Sequence, residues 1–183
     1  MTNEARGKRL AQLLQRYVAR CAPELLAANG LTLVSSDEQH EGPCYNLAGI
    51  VGFVGDLSGT LLVCTSPAVI AGCHPLRDRQ AELTERMQLD WIGELANQLM
   101  GRVKIRLSRH GVELRLSPPI SLAGERIRHV TTPGRTLRAG FRAGSERMDV
   151  WVDAELREMI TSEEAFLEED REAEGNEGEL IFF

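Results

Sequence analysis

The residues of this sequence whose types and spacing could do chemistry lie together in the segment DWIGELANQLMG, residues 90–101. If the segment is an α-helix, Asp90, Glu94, Asn97 and Gly101 fall within a stripe about 60° wide. The stripe combines carboxylates with a carboxamide, which both donates and accepts hydrogen bonds and can therefore orient a water molecule. An acid and an amide presented on one helix face predict a candidate binding or catalytic surface.

The opposite side of the same segment is apolar, with Ile92, Leu95, Leu99 and Val103 at helical spacing. We expect this side to be buried and the stripe to face outward. An ordinary solvated helix face also carries Asp, Glu and Asn, so the stripe alone does not decide between the two interpretations. Two features favour a functional one. Asparagine prefers helix caps to helix interiors, and Gly101 costs the helix about 1 kcal/mol relative to alanine while leaving the stripe free of bulk.

The elements around this segment follow an order that recurs. Helical spacing over residues 4–28 ends at Asn29-Gly30. A strand at 31–34, a polar loop at 37–43, a glycine-punctuated hairpin over 46–65 and a short helix from Ser66-Pro67 to Gly72 follow. The second half has a long helix over 81–109, a strand at 112–116 ended by Ser117-Pro118-Pro119, and β-rich runs at 136–142 and 148–153. Asp153 is the expected N-cap of a last short helix over 154–160.

This order predicts an internal duplication, with pseudo-repeats over about 4–76 and 81–161. The predicted fold class is α+β, with a largely antiparallel sheet packed against two long helices. We expect one domain over residues 1–162 and a separate tail over 163–183. The tail has nine acidic residues against one arginine, which is typical of a flexible, solvated segment.

Charge and hydropathy limit the classes of function. The net charge is −6, and removal of the −8 tail leaves a body of +2, which favours no nucleic-acid partner. No apolar run approaches the roughly 18 residues of a membrane span, and residues 1–10 do not resemble a secretion signal. We expect a cytoplasmic protein that binds neither membrane nor nucleic acid. Arg102, Lys104, Arg106 and Arg109 leave a nucleic-acid or scaffold role as an alternative, although cations stabilise a helix C-terminus by themselves.

The four cysteines and four histidines show no spacing typical of metal ligands. Cys21, Cys44, Cys64 and Cys73 include no CxxC pair, and we expect buried or partly buried free thiols. The sequence predicts no metal site, and it contains no P-loop, dinucleotide fingerprint or serine nucleophile motif.

The chain resembles the chemotaxis phosphatases CheC, CheX and FliY, and most closely the CheX members of that family. The residues that carry the resemblance are Asp90, Glu94, Asn97 and the pair Pro118-Pro119, with 20 or 21 residues between Asn97 and the prolines. That interval is slightly shorter than the usual family pattern, and we interpret the difference as a shorter loop. The segments GELANQLMG, GVELRLSPP and GFVGDLSGTLL extend the resemblance, whose layout covers residues 4–160 and excludes the tail.

The resemblance implies hydrolysis of the aspartyl phosphate on a CheY-like response regulator. Asn97 would hold the attacking water, and Glu94 would pair with a lysine at the partner's active site. Asp90 and Gly101 would belong to the binding surface, and Asp90 could equally face solvent. The resemblance implies no cofactor in this chain, because Mg²⁺ would be bound by the regulator, and it implies a homodimer formed through the sheets. The first helix contains no Glu-x-x-Asn, so one site per chain is expected. A regulator-binding or scaffold module of the same fold without catalysis remains an alternative.

Overall fold

The structure, a computed structural model, describes residues 3–36, 45–79, 82–130 and 136–156. In chain order, its elements are α1 (Asn3–Ala28), β1 (Val34–Ser35), β2 (Tyr45–Gly55), β3 (Leu57–Thr65), α2 (Pro67–Cys73), α3 (Glu85–Ser108), β4 (Leu114–Leu116), β5 (Ile120–Ile127), β6 (Thr136–Ala143) and β7 (Glu146–Leu156). A short 3-10 turn, Arg77–Arg79, precedes α3. None of the described helices is both long and apolar enough to cross a membrane.

The described strands form one sheet in the order β1-β6-β7-β3-β2-β4, and every pairing in it is antiparallel. The outer edge of β2 is shared, because β5 pairs with its first half and β4 with its last residues. The prediction of an α+β fold with a largely antiparallel sheet is confirmed.

Both predicted hairpins are present. The β2–β3 hairpin turns around Asp56, and Phe53 lies opposite Gly59. The β6–β7 hairpin turns through Gly144-Ser145, where Gly144 has a φ of 62° that favours glycine.

One face of the sheet packs against α1 and α3, and this contact forms the main core. The core combines α1 residues such as Leu14 and Leu25 with sheet residues such as Val51, Leu61 and Val150, all of them buried. α3 lies directly on β2 at Gly49, where a Cβ atom would stand 2.4 Å from the carbonyl oxygen of Ile92. The absence of a side chain at position 49 therefore sets how closely the helix approaches the sheet.

The other face of the sheet carries a smaller cluster. Tyr45, Ala48 and Cys64 are buried there, with Leu62, Ile127 and Trp151 packed around them. Asp149 is fully buried beside this cluster, where it accepts hydrogen bonds from the Tyr45 hydroxyl, from Arg138 at 2.9 Å and from Arg147 at 3.1 Å. These contacts join β2, β6 and β7 on that face.

The structure corrects three sequence predictions. The first strand is Val34–Ser35 rather than 31–34. Residues 120–127, for which no element was predicted, form β5. The predicted helix over 154–160 is wrong at its start, since residues 154–156 continue β7 and pair with β3. These residues are a strand because they pair with β3. The two strands, β3 and β7, approach closely, since a Cβ atom at Gly59 would lie 2.0 Å from the Asp153 carbonyl oxygen.

Several predictions fall outside the described residues. They are the loop at 37–43, the remainder of the last helix at 157–160, the tail at 163–183, and Cys44. The two pseudo-repeats stay a prediction.

Candidate functional site

The candidate site lies on α3, whose ends are well defined. The Thr84 hydroxyl accepts a hydrogen bond from the Met87 N–H at 3.3 Å, which caps the N-terminus. Glu85 lies in the first turn and Arg106 in the last, the arrangement that the helix dipole favours. Arg106 also donates to Glu24 of α1 at 2.7 Å, which ties the C-terminal end of α3 to its neighbour.

The division of α3 into a buried and an outward side is confirmed. Ile92, Leu95, Leu99 and Val103 are all buried, as the spacing predicts. The buried side is wider than expected, because four further residues are buried as well: Gly93, Ala96, Met100 and Leu107.

Each residue of the predicted stripe lies on the outward side. Asp90 is exposed, with 77% of its side chain accessible and only a distant ion pair to Arg86 at 4.0 Å. Glu94 and Asn97 are half-buried. A Cβ atom added to Gly101 would meet no atom within 4 Å, so this position is open space. The helix therefore brings the acid, the amide and the gap together on one surface.

The two central side chains differ in their hydrogen bonding. Glu94 Oε1 accepts a hydrogen bond from Gln98 Nε2 at 2.8 Å, which leaves its second oxygen available. The Asn97 carboxamide has no hydrogen-bond partner within the described ranges, so both its donor and its acceptor can bind water or a ligand. Sequence analysis did not identify Gln98. The signal was the i,i+4 spacing from Glu94, which places the two side chains side by side on a helix.

The β4–β5 loop brings the prolines of the predicted pattern against α3. Ser117 anchors this loop, since its N–H donates to the Gly52 carbonyl at 2.9 Å and its hydroxyl accepts from the Gly52 N–H at 3.0 Å. Pro119 lies beside Gly93, where a Cβ atom would be 3.6 Å from the proline Cβ and 2.6 Å from the Ser121 hydroxyl. Pro119 thus contacts α3 at Gly93, one helical turn before Asn97.

The described cysteines are buried and do not belong to the outward side of α3. Cys21, Cys64 and Cys73 are buried free thiols, as predicted. Burial raises the pKa of Cys64 to about 12 and also raises the pKa of Cys21 and Cys73. Within the described part of the chain, no three His, Cys, Asp or Glu residues are grouped so that they could hold a metal ion.

Comparison with known proteins shows which family the chain is similar to. The family model described as "Chemotaxis phosphatase CheX" matches residues 47–136, which include all of α3 and the β4–β5 loop. Over this region the chain is similar to the CheX family. No curated protein matches the sequence.

Solved structures share the fold of this chain. CheX from Desulfovibrio desulfuricans is 13% identical with a TM-score of 0.67, over 78% of this chain and 99% of that one. A CheC-like superfamily protein from Shewanella sp. PV-4 is 18% identical with a TM-score of 0.68, over 78% and 97%. A chain of the CheX–CheY–BeF3–Mg²⁺ complex from Borrelia burgdorferi is 15% identical with a TM-score of 0.57, over 78% and 96%.

Proposed function

We propose that the protein is a phosphatase that hydrolyses the aspartyl phosphate of a CheY-like response regulator, in chemotaxis or a related two-component pathway. The observation that carries the proposal is the outward placement of Glu94 and Asn97, one helical turn apart, in a region that is similar to the CheX family. A structure similar in fold, from Borrelia burgdorferi, holds CheX together with CheY, BeF3 and Mg²⁺. These observations support a regulator as the partner.

The reaction requires a positioned water molecule and little else from the phosphatase. Water attacks phosphorus in line with the acyl oxygen, the new P–O bond forms as the acyl P–O bond breaks, and the regulator's aspartate leaves as a carboxylate. The Asn97 carboxamide would accept a hydrogen bond from this water and donate one to a phosphoryl oxygen. Its lack of a partner among the described residues supports this role.

Glu94 would dock the helix in the partner's active site. Its carboxylate would pair with a lysine of the regulator through the oxygen that Gln98 leaves unbonded. Mg²⁺ would stay bound to the regulator, and the phosphatase would contribute no cofactor. Asp90 and Gly101 would belong to the binding surface, the first as an exposed charge and the second as a gap that lets the partner approach.

We also propose a homodimer formed through the sheet, in the cytoplasm, where response regulators are phosphorylated. The exposed edge of the sheet, formed by β5, supports the proposed homodimer. Its apolar residues Ile120 and Leu122 are exposed, and edge strands of this kind pair readily with another chain.

The decay of phosphorylated regulator, with and without the full chain, tests the proposed function. Each candidate regulator of the same genome is assayed in turn. We expect the phosphorylated form of at least one of them to decay at least about ten-fold faster with the protein. Binding of the BeF3-activated regulator without faster decay would indicate the non-catalytic module instead. Absence of both binding and faster decay would refute the proposal.

A further inference from the structure

Six large apolar side chains are well exposed in the part of the chain that the structure describes: Val34, Val54, Ile105, Ile120, Leu122 and Val130. A single exposed apolar residue is ordinary on a protein surface and needs no explanation. Ile105 differs from the others because it is the one that lies on a helix, and that helix is α3.

Ile105 lies in line with the candidate site. It follows Glu94 by eleven positions, slightly more than three full turns, so the two side chains leave the helix within about 20° of each other. It is 61% exposed, and it follows the open position of Gly101 by one turn. Along the helix axis it lies about 12 Å from Asn97. The surface thus runs from the acid–amide pair, across a gap, to an apolar side chain.

The helix holds Ile105 in a fixed place. Val103 and Leu107 on the opposite side are buried in the core, and Arg106 pairs with Glu24 of α1. The Ser108 hydroxyl donates to the Ile105 carbonyl oxygen at 2.8 Å, within the last turn. Because the backbone at Ile105 is already fixed, little backbone entropy is lost when a partner covers this residue.

We infer that Ile105 is an apolar docking residue for the response regulator, and this inference rests on the proposed function. The surface fits a regulator that carries an exposed apolar patch about 12 Å from its phosphoryl group. Glu94 and Ile105 would contribute differently to binding. Charged side chains such as Glu94 contribute mainly orientation and association rate, whereas burial of an apolar side chain contributes affinity.

The test uses Ile105→Ala in the full chain, with Val34→Ala as the matched control. Alanine preserves helix propensity, so an effect at position 105 cannot arise from melting of α3. Val34 is 65% exposed but lies on β1, at the edge of the sheet farthest from β2 and α3. The measurements are the Kd for BeF3-activated regulator, and kcat and KM for the phosphorylated regulator.

We expect Ile105→Ala to raise Kd and KM by about ten-fold, with kcat within two-fold of the wild-type value. Val34→Ala should change neither Kd nor KM, and Ile105→Leu, which keeps a large apolar side chain, should retain the wild-type affinity. An unchanged Kd for Ile105→Ala, in a protein whose activity is still lost with Asn97→Ala, would overturn this inference alone. Equal losses in Ile105→Ala and Val34→Ala would also overturn it. A wild-type chain that neither binds nor dephosphorylates any regulator would overturn the proposed function as well.

Discussion

At the scale of single residues, the two central side chains of the stripe, Glu94 and Asn97, differ in whether another side chain holds them. Gln98 holds one oxygen of Glu94 at 2.8 Å, so the carboxylate is partly oriented before any partner arrives. The Asn97 carboxamide has no such contact among the described residues, as expected of a group that binds water. Orientation suits a docking charge, and freedom from other partners suits a water ligand.

We predict that Gln98→Leu weakens recognition of the regulator without slowing the chemical step. Leucine keeps the size of the side chain and a high helix propensity but cannot donate to Glu94. Loss of one hydrogen bond to a carboxylate should raise KM about two- to ten-fold, with kcat unchanged. Steady-state kinetics with phosphorylated regulator measure both constants. A KM equal to that of the wild type would show that Gln98 does not position Glu94.

At the scale of elements, three glycines on or against α3 differ in the space around them. Gly49 of β2 and Gly93 of α3 are tight contacts, where a Cβ atom would lie 2.4 Å from the Ile92 carbonyl oxygen and 2.6 Å from the Ser121 hydroxyl. Gly101 has nothing within 4 Å. The first two allow the helix to pack on the sheet and against the β4–β5 loop. Within the monomer, no steric contact requires the third to be glycine.

Two substitutions at Gly101 should therefore separate stability from regulator binding. Gly101→Ala should raise the free energy of unfolding by up to about 1 kcal/mol, because alanine favours the helix and meets no neighbour. The melting temperature should rise by about 2–4 °C. Gly101→Leu should fold as well as Gly101→Ala but raise KM for the regulator, because its side chain fills the gap.

Gly49→Ala provides the control for this pair of variants. Its methyl group would collide with the Ile92 carbonyl, so it should lower stability by about 1–3 kcal/mol. Thermal unfolding followed by circular dichroism separates the two cases. A destabilised Gly101→Ala, or a Gly101→Leu variant with normal KM, would contradict the assignment of Gly101 to an open docking surface.

At the scale of the whole molecule, core packing keeps the described thiols away from the outward side of α3. Three thiols are buried, and burial raises the pKa of Cys64 to about 12 and also raises the pKa of Cys21 and Cys73. A thiol reacts as its thiolate, so both exclusion of reagent and the raised pKa keep these groups inert. Their place in the fold is in the packed interior.

We predict that the native protein exposes at most one of its four cysteines to a thiol reagent at pH 8. The candidate is Cys44, and the other three should react only after unfolding. Titration with Ellman's reagent, before and after addition of guanidinium chloride, counts the thiols in each state. Rapid labelling of two or more in the native protein would contradict the burial of Cys21, Cys64 and Cys73.

The sequence predicted the elements whose pattern is local. Helical spacing identified both sides of α3, and the turn glycines identified both hairpins, because these signals depend on neighbouring residues. The same reasoning placed Asp90, Glu94, Asn97 and Gly101 on one outward surface. It could not establish a function for them, and the resemblance to a family supplied that hypothesis.

The predictions that were wrong depend on distant partners. Residues 120–127 lose apolar alternation after Leu122, yet they form a strand because β2 offers an open edge. The segment after Asp153 has good helix formers, but pairing with β3 extends it as a strand as far as Leu156. Tertiary pairing overrides local propensity in both places. Gln98 was missed for a different reason, since its i,i+4 spacing from Glu94 is common among polar residues on helices and does not single out this pair.

The single-turnover decay of phosphorylated regulator in the presence of saturating Asn97→Ala protein tests the central claim most directly. The account predicts a rate at least about ten-fold below that of the wild-type complex, near the regulator's own decay, because no group positions the water. The melting temperature should not fall, since the carboxamide makes no hydrogen bond within the described ranges and alanine favours the helix. The variant should still bind the BeF3-activated regulator, because Glu94 is intact. A variant that dephosphorylates the regulator as fast as the wild type would contradict the account.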